Sequence, residues 1–259
     1  MIKLSAAIIT FNESANIARC INALKPVADD IVVVDSFSTD DTCQQAEALG
    51  ARVVKHAFEG HIQQKNFAVT QCLYPHVLSV DADEVLDSTL QQSIIAAKAD
   101  WQYDGYYVDR MTSYCGRWIK HGGWYPDRKL RLWDSTKGRW GGRNPHDKYE
   151  MQASARLSML KGTLLHYSYN TISEHLLQVD KFTTITAQQL YDEGVTVSFI
   201  DLYFKPAFHF FNAYFIKGGF RDGWQGYTIA RISAAARLIR YSKLKFMYQQ
   251  RNNAGNISH

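Results

Sequence analysis

Through its first hundred residues the chain alternates between short apolar runs and longer stretches whose apolar positions fall three and four apart. LSAAIIT predicts a strand over 4–10, and Ile17, Ile21 and Leu24 share one face of a helix over 15–24 that Pro26 ends. DIVVV, over 30–34, is almost wholly apolar, as expected of a strand covered on both faces of a parallel sheet. A helix over 42–49 follows, capped by Asp40 or Thr39 and closed by Gly50. A strand over 51–55, a helix over 60–72, a strand running into Asp81 and a helix over 86–97 continue the alternation. Strands and helices of these lengths, joined by right-handed crossovers, give an open sheet with helices on both faces.

From Tyr103 the pattern changes to one rich in aromatic residues, Gly and Arg. Period-two runs over 106–110 and 129–133 predict antiparallel strands added to the sheet, so the sheet is expected to be mixed; 162–167 reads as one more short strand. Leu176, Val179, Phe182 and Ile185 predict a helix over 171–193, stopped by Gly194. Phe204, Phe208, Phe211 and Phe215 then make a helical stripe within 199–217, a loop is expected over 217–224, and a last helix over 226–248. The expected organisation is a main domain over 1–198 and a helical, amphipathic C-terminal extension over 199–259.

With 259 residues, 46% of them hydrophobic, the chain is large enough for such a domain with an appendage. Its four cysteines are widely spaced, without a C-x-x-C pair, and read as free thiols or small buried apolar residues. The apolar start ends at Asn12-Glu13 without a cleavage site, so it reads as a strand rather than a leader, and no apolar run is long enough to span a bilayer. Charge is uneven. Residues 205–259 hold nine Lys/Arg against the single acid Asp222, whereas 1–204 hold 20 against 24 acids. A basic, aromatic tail suits an anionic membrane surface; the alternative is that its Phe stripe packs on the main domain while the cations face water. Nucleic acid is not expected, because no recognition motif accompanies the charge.

The candidate chemistry centres on VLSVDADEVL, over 77–86, where a buried strand runs into Asp81-Ala82-Asp83-Glu84. Unpaired carboxylates at a buried strand tip cost several kcal/mol, about what the desolvation of a charge implies, so a cation should sit there. Extended chain would put Asp81 and Asp83 on one side, where two hard oxygen donors suit Mg²⁺ or Mn²⁺ and, through it, phosphate. An acidic helix start would explain the same residues. Three of the first four strands end in polar clusters, Phe11-Asn12-Glu13, Asp35-Ser36 and Asp81-Ala82-Asp83, and ligands of such sheets bind beyond the carboxyl ends of strands. Turn and cap needs account for Ser38, Thr39 and Asp41 better than for Asp35 and Asp81. Neither a G-x-G-x-x-G after the first strand nor a P-loop is present. Arg131 with Arg128 or Lys129 would grip phosphates or coat a solvated face. His166, at a strand end, is a structural histidine unless a carboxylate-bound metal lies beside it.

Four ordered segments carry a resemblance: Ile9-Thr10-Phe11-Asn12-Glu13, the run from Val34-Asp35-Ser36 to Asp40-Asp41-Thr42, Gln64-Lys65-Asn66-Phe67-Ala68, and Ser79-Val80-Asp81-Ala82-Asp83-Glu84. In order and spacing the chain resembles family 2 glycosyltransferases of the GT-A, Rossmann-like α/β fold. Lys129-Leu130-Arg131-Leu132-Trp133, Gly138-Arg139-Trp140, Pro145-His146-Asp147, Gly162 to Tyr167 and Gly218 to Gly223 are similar to one subgroup, the bacterial lipopolysaccharide inner-core β-1,4-glucosyltransferases.

The resemblance implies an inverting, metal-dependent hexosyltransferase, with a nucleotide-sugar half over about 1–100 and an acceptor half over about 101–198. It would move glucose from a UDP-sugar to a lipid-linked saccharide at the cytoplasmic face of the inner membrane, as a peripheral protein. Thr10, Phe11 and Glu13 would line the nucleoside pocket and Asp35 would accept a hydrogen bond from uracil or ribose. Lys65, Ala82 and Arg131 would lie along the donor, Asp81 would bind ribose or assist the metal, and Asp83 and His166 would ligate it. The base is expected within His146-Asp147, with Asp147 assigned the role and His146 beside it. Two other readings are a sugar-phosphate nucleotidyltransferase, which needs a Gly-rich basic loop that 9–14 lacks, and a non-catalytic membrane-bound nucleotide-sugar-binding module, which has no use for both Asp83 and an acidic base.

Overall fold

The structure is a computed structural model that describes residues 1–143 and 146–256. It divides into two compact units, Met1–Met111 with Pro126–Tyr167 and Thr112–Tyr125 with Ser168–His259.

The first unit opens with β1 (Leu4–Thr10), α1 (Ile17–Leu24), β2 (Asp30–Asp35), α2 (Thr42–Ala48), β3 (Arg52–Lys55), α3 (His61–Thr70) and β4 (His76–Asp81). Strands β3, β2, β1 and β4 lie side by side and parallel. Their alternation explains the layers. Leu4, Ala6, Ile8, Val33, Leu78 and Val80 face a core shared with α1, α2 and α4 (Ser88–Ala99). Ala7, Val32, Val34 and Val77 face a second core shared with α3 and the hairpin β9 (Gly138–Arg143)–β10 (His146–Met151). A slip of one residue would exchange the two sets, and each buried Leu, Ile or Val contributes about 1.5–3 kcal/mol, so register is firmly set. That register aligns Thr10 with Asp35 and Ile9 with Asp81, bringing three polar strand ends to one edge.

Beyond β4 the sheet becomes mixed. β8 (Asp127–Asp134) pairs antiparallel with β4 and with β6 (Gly105–Tyr114); β11 (Leu157–Tyr169) and β5 (Glu84–Leu86) complete it. The helix expected over 86–97 is present as α4, but the acidic motif does not start it. β4 stops at Asp81, the chain turns through Ala82 and Asp83, and the three residues of β5 pair with β11 before α4 begins. Asp81 and Asp83 therefore do not lie along one extended strand.

β11 is seated by Gly162, which has φ +102 and so close an approach to α4 that a Cβ would lie 2.2 Å from the Leu90 nitrogen. Beside it Asp87 caps α4, accepting from Leu90 N at 2.7 Å, and also accepts from Thr163 N at 3.0 Å.

In the second unit β6 turns through Cys115 (φ 46) and Gly116 (φ 80) into β7 (Arg117–Trp118), the double positive φ of a tight hairpin. Capping boxes at Thr171/Glu174 and Ser198/Asp201 start α5 (Ile172–Asp192) and α6 (Phe199–Phe211). α7 (Gly223–Asn256) packs against both. The expected loop before it is shorter than predicted: a π turn over Asn212–Ile216 and a 3₁₀ turn over Gly219–Asp222 deliver the chain straight into α7. Asp222 is buried and accepts from the backbone nitrogens of Lys120 and His121, closing one loop on the other. Within this unit the stripe is uncovered: Phe204 and Phe208 are 62% and 65% exposed. Among the described residues no helix is long and apolar enough to cross a membrane, and all four cysteines are free.

Gly162→Ala is expected to cost about 2–4 kcal/mol, from positive-φ strain and a backbone clash together. Gly50→Ala, at φ +86 in open space, should cost only about 1 kcal/mol. Urea unfolding measures both; equal losses would show that the contact with α4 does not seat β11.

Candidate active site

The β1 and β2 ends are organised around Asp35. Its side chain accepts from Thr10 Oγ1 at 2.9 Å and from the Ser38 backbone nitrogen at 2.8 Å, and Ser38 Oγ bonds it as well. Ser38 Oγ also accepts from Asn12 N, and Asn12 Oδ1 accepts from Thr39 N, so the two loops are laced together. Asn12 and Phe37 take left-handed backbone, φ 55 and 62, where most side chains are strained. Phe11 stands 58% exposed at this edge, while Thr10 and Asp35 are buried. Glu13 is half-buried and accepts from Asn16 at 2.8 Å; burial foremost, and nearby Asp83, raise its carboxyl above the ordinary value.

Gln64, Lys65 and Asn66 are consecutive on α3, about 100° apart around it, and each holds a different element. Gln64 donates to Ser36 Oγ at 3.0 Å and to the His56 carbonyl. Asn66 donates to the Trp140 carbonyl at 2.9 Å and accepts from its nitrogen at 3.0 Å, imitating a strand partner for β9. Lys65, buried between them, sets its ammonium 3.2 Å from Asp81 and 2.8 Å from Asp147, and 4.6 Å from the ring centre of Trp140. Asn66 thus fixes the hairpin whose second strand brings Asp147 to Lys65.

The other Asp81 oxygen meets Arg131 at 3.0 Å, and Arg131 also reaches Glu84 at 2.6 Å. Arg110 bonds Glu84 at 3.2 Å and Asp127 at 2.7 Å. Burial alone would raise the Asp81 carboxyl; Lys65 and Arg131 outweigh it and hold it well below the usual carboxylate range. Asp83 takes a separate partner, His166 Nε2 at 3.1 Å. The cause is register: His166 pairs with Glu84 across β11 and β5, and Tyr167 N donates to the Asp83 carbonyl. Burial would lower the His166 pKa, but the Asp83 carboxylate raises it.

Among the described residues no three His, Cys, Asp or Glu side chains converge on one point. Asp83 and His166 still fit a divalent ion that takes the rest of its shell from phosphate and water, the usual habit of Mg²⁺ with one or two protein ligands. Asp81, engaged by two cations, is less free for that role.

A cavity of about 500 Å³ is lined by Lys65, Asp81, Arg131, Trp140 and Asp147, with Arg110, Arg128, Lys129 and Lys148 adding charge. Each of the six cationic side chains of the lining is paired with a carboxylate, Asp81, Glu84, Asp109, Asp127, Asp147 or Glu150, so an anion binding here would exchange with those acids. Among the described residues the buried Nε of Arg131 has no acceptor. Tyr107, Arg110, Trp140 and Lys148 were not singled out by sequence; their only signal was position in period-two runs and in the Gly-Arg-Trp segment. Ala82 is buried in the turn between the two acids. The side chain of His146 lies outside the described residues.

Asp35 has a pH signature. Burial would raise its carboxyl, but hydrogen bonds from Ser38 and Thr10 outweigh burial and lower it. A depressed folded pKa stabilises the fold above the unfolded value of about 3.9 and is lost as pH falls through the folded one. Carboxyl ¹³C titration should place the wild-type Asp35 midpoint below about 3.9, and Ser38→Ala should move it up. An unmoved midpoint would show that Ser38 does not set it.

The model of the family described as "Glycosyl transferase family 2" matches residues 5–163. An uncharacterized glycosyltransferase of Rickettsia felis is 32% identical over 255 residues, 95% of this chain and 90% of that protein. LpsC of Rhizobium meliloti, a lipopolysaccharide core biosynthesis glycosyltransferase, is 31% identical over 254 residues, 93% of this chain and 91% of that protein. Among solved structures, glucosyl-3-phosphoglycerate synthase from Mycobacterium tuberculosis, in complex with Mn²⁺, UDP and glucosyl-3-phosphoglycerate, is 22% identical. That match spans 43% of this chain and 44% of that one with a TM-score of 0.36, too short an overlap to carry anything across. The match over residues 5–163 and the relatives spanning nearly the whole chain agree with the mixed, helix-flanked sheet and its acidic strand ends: the chain belongs to glycosyl transferase family 2.

Proposed function

We propose that this protein is an inverting hexosyltransferase that moves glucose from a UDP-sugar to a lipid-linked saccharide, the inner core of lipopolysaccharide. The observation that carries the reading is the cationic cavity in which Lys65 and Arg131 meet Asp81 and Asp147. Such a lining suits a nucleoside diphosphate, and the 31% identity to LpsC supports the acceptor class.

In this mechanism Asp147 is the base. A saccharide hydroxyl is a poor nucleophile near neutral pH, so its proton passes to the Asp147 carboxylate as its oxygen attacks the anomeric carbon. The bond from that carbon to the diphosphate oxygen breaks in the same displacement, which inverts the centre without a carboxylate nucleophile. Lys65 and Arg131 take up the charge developing on the diphosphate, with Arg128 and Lys129 at the cavity wall. The donor's diphosphate thereby competes with Asp147 for Lys65 and releases the carboxylate. Thr10, Phe11, Glu13 and Asp35 border the nucleoside end, and Ala82 lets the chain pass close to the sugar. A divalent cation, Mg²⁺ or Mn²⁺, held by Asp83 and His166 would neutralise diphosphate oxygens. Residues 1–100 carry the donor half, 101–198 the acceptor half, and 199–259 the contact with an anionic membrane surface on its cytoplasmic side.

Titrating a panel of nucleotide sugars with and without Mn²⁺ tests the donor site; one UDP-sugar should bind selectively and chelator should weaken it. Asp83→Ala should abolish that metal dependence. Asp147→Asn should keep donor binding and lower kcat by about 10²–10⁴-fold. Full activity in Asp147→Asn with none in His146→Ala would move the base to His146.

A further inference from the structure

The second unit holds a cavity of different character. Pro206, Ala207 and Phe210 of α6 and Ala234, Ala235 and Leu238 of α7 line a groove of about 520 Å³ in which the charged lining residue is Arg231. Three alanines leave open the space that larger side chains would fill. The Arg231 guanidinium lies 5.4 Å from the Phe210 ring centre and 6.0 Å from that of Tyr227, and no acid follows Asp222 in the chain. Its environment is therefore aromatic and cationic. Along α6 and the turn after it, Phe199, Tyr203, Phe204, Phe208, Phe211 and Phe215 are 51–66% exposed. Contiguous apolar surface of this kind marks an interaction site. α6 is 13 residues long, too short to span a bilayer, and its rings with flanking Lys and Arg match the composition of helices that lie in the interface.

We propose that the groove between α6 and α7 is a phospholipid site. It seats an acyl chain of a bilayer lipid, sets that lipid's phosphate against Arg231, and does so with the exposed rings of α6 sunk in the interface around it. An anionic lipid, rather than a protein, is the occupant the charge selects: α7 offers Arg231, Arg237, Arg240 and Lys245 with no acid among them, while Lys243 is held by Asp180 of α5. The proposal rests on the membrane-contact reading of 199–259 and makes it specific, a lipid bound in a groove rather than a surface merely attracted to charge.

The experiment uses the full chain and vesicles of phosphatidylcholine, with and without phosphatidylglycerol, free of any saccharide acceptor. Wild type should sediment with the mixed vesicles, partly resist added salt, and retain about one phospholipid per chain in native mass spectrometry after detergent extraction. Phe204→Ser/Phe208→Ser should lower the partition by at least about tenfold. Ala207→Leu/Ala234→Leu, which fills the groove, should lose the retained lipid. A groove-filled variant that keeps the lipid overturns the proposal, as does wild type that carries none. So does a wild-type dimer that Phe204→Ser/Phe208→Ser dissociates, because a second copy then covers the face. Vesicle binding by wild type without a retained lipid overturns the groove and leaves the membrane contact standing; no vesicle binding overturns both. UDP-sugar hydrolysis by the same proteins reads the catalytic assignment separately.

Discussion

One ammonium between two carboxylates underlies the site. Lys65 comes from a helix, Asp81 from the end of a parallel strand and Asp147 from a hairpin strand far along the chain, and all three meet within 3.2 Å. Withdrawing Lys65 would take from Asp81 and Asp147 the ammonium they share, and removing one member of a buried pair costs about 3–5 kcal/mol. The arrangement therefore forces α3, β4 and the β9–β10 hairpin to hold their places together. Asn66 reinforces it from the same helix by bonding both backbone groups of Trp140.

The same logic extends outward. Glu84 is fully buried and depends on Arg131 and Arg110, and Arg110 depends in turn on Asp127. Each cation at the cavity wall already holds a carboxylate, so a ligand anion would have to exchange with those acids. Low local dielectric strengthens each of these pairs and makes each unpaired member costly. In the proposed reaction a donor diphosphate would exchange partners with carboxylates already in place.

The second unit obeys a different constraint. Its ring cluster buries Tyr114 and His175 beneath the half-buried Trp124 and Tyr169, and burial lowers the His175 pKa to about 4. α6 instead turns its rings outward. An amphipathic period shows that a helix has an apolar face; it does not say whether that face is covered by protein. The stripe at Phe204, Phe208, Phe211 and Phe215 leaves both outcomes open in the sequence, and within its own unit α6 leaves those rings exposed.

Alternating β and α blocks, the polar strand ends and the four ordered segments were all legible in the sequence, because strand burial and strand-end chemistry are written in local period and composition. Asp35 and Asp81 stood out for that reason, each directly after a buried run. Which partner each would take was not local information. Extended geometry suggested Asp81 and Asp83 side by side; a two-residue turn and the three residues of β5 separated them, giving Asp81 to Lys65 and Arg131 and Asp83 to His166. Glu84 read as one of three carboxylates needing a cation, or as a helix-start acid, and it is a buried anchor for two arginines. Arg110 was one position in a period-two run until β6 and β8 paired. These outcomes depend on sheet register and on contacts between residues dozens of positions apart, set by the packing of both cores at once, which no local pattern encodes.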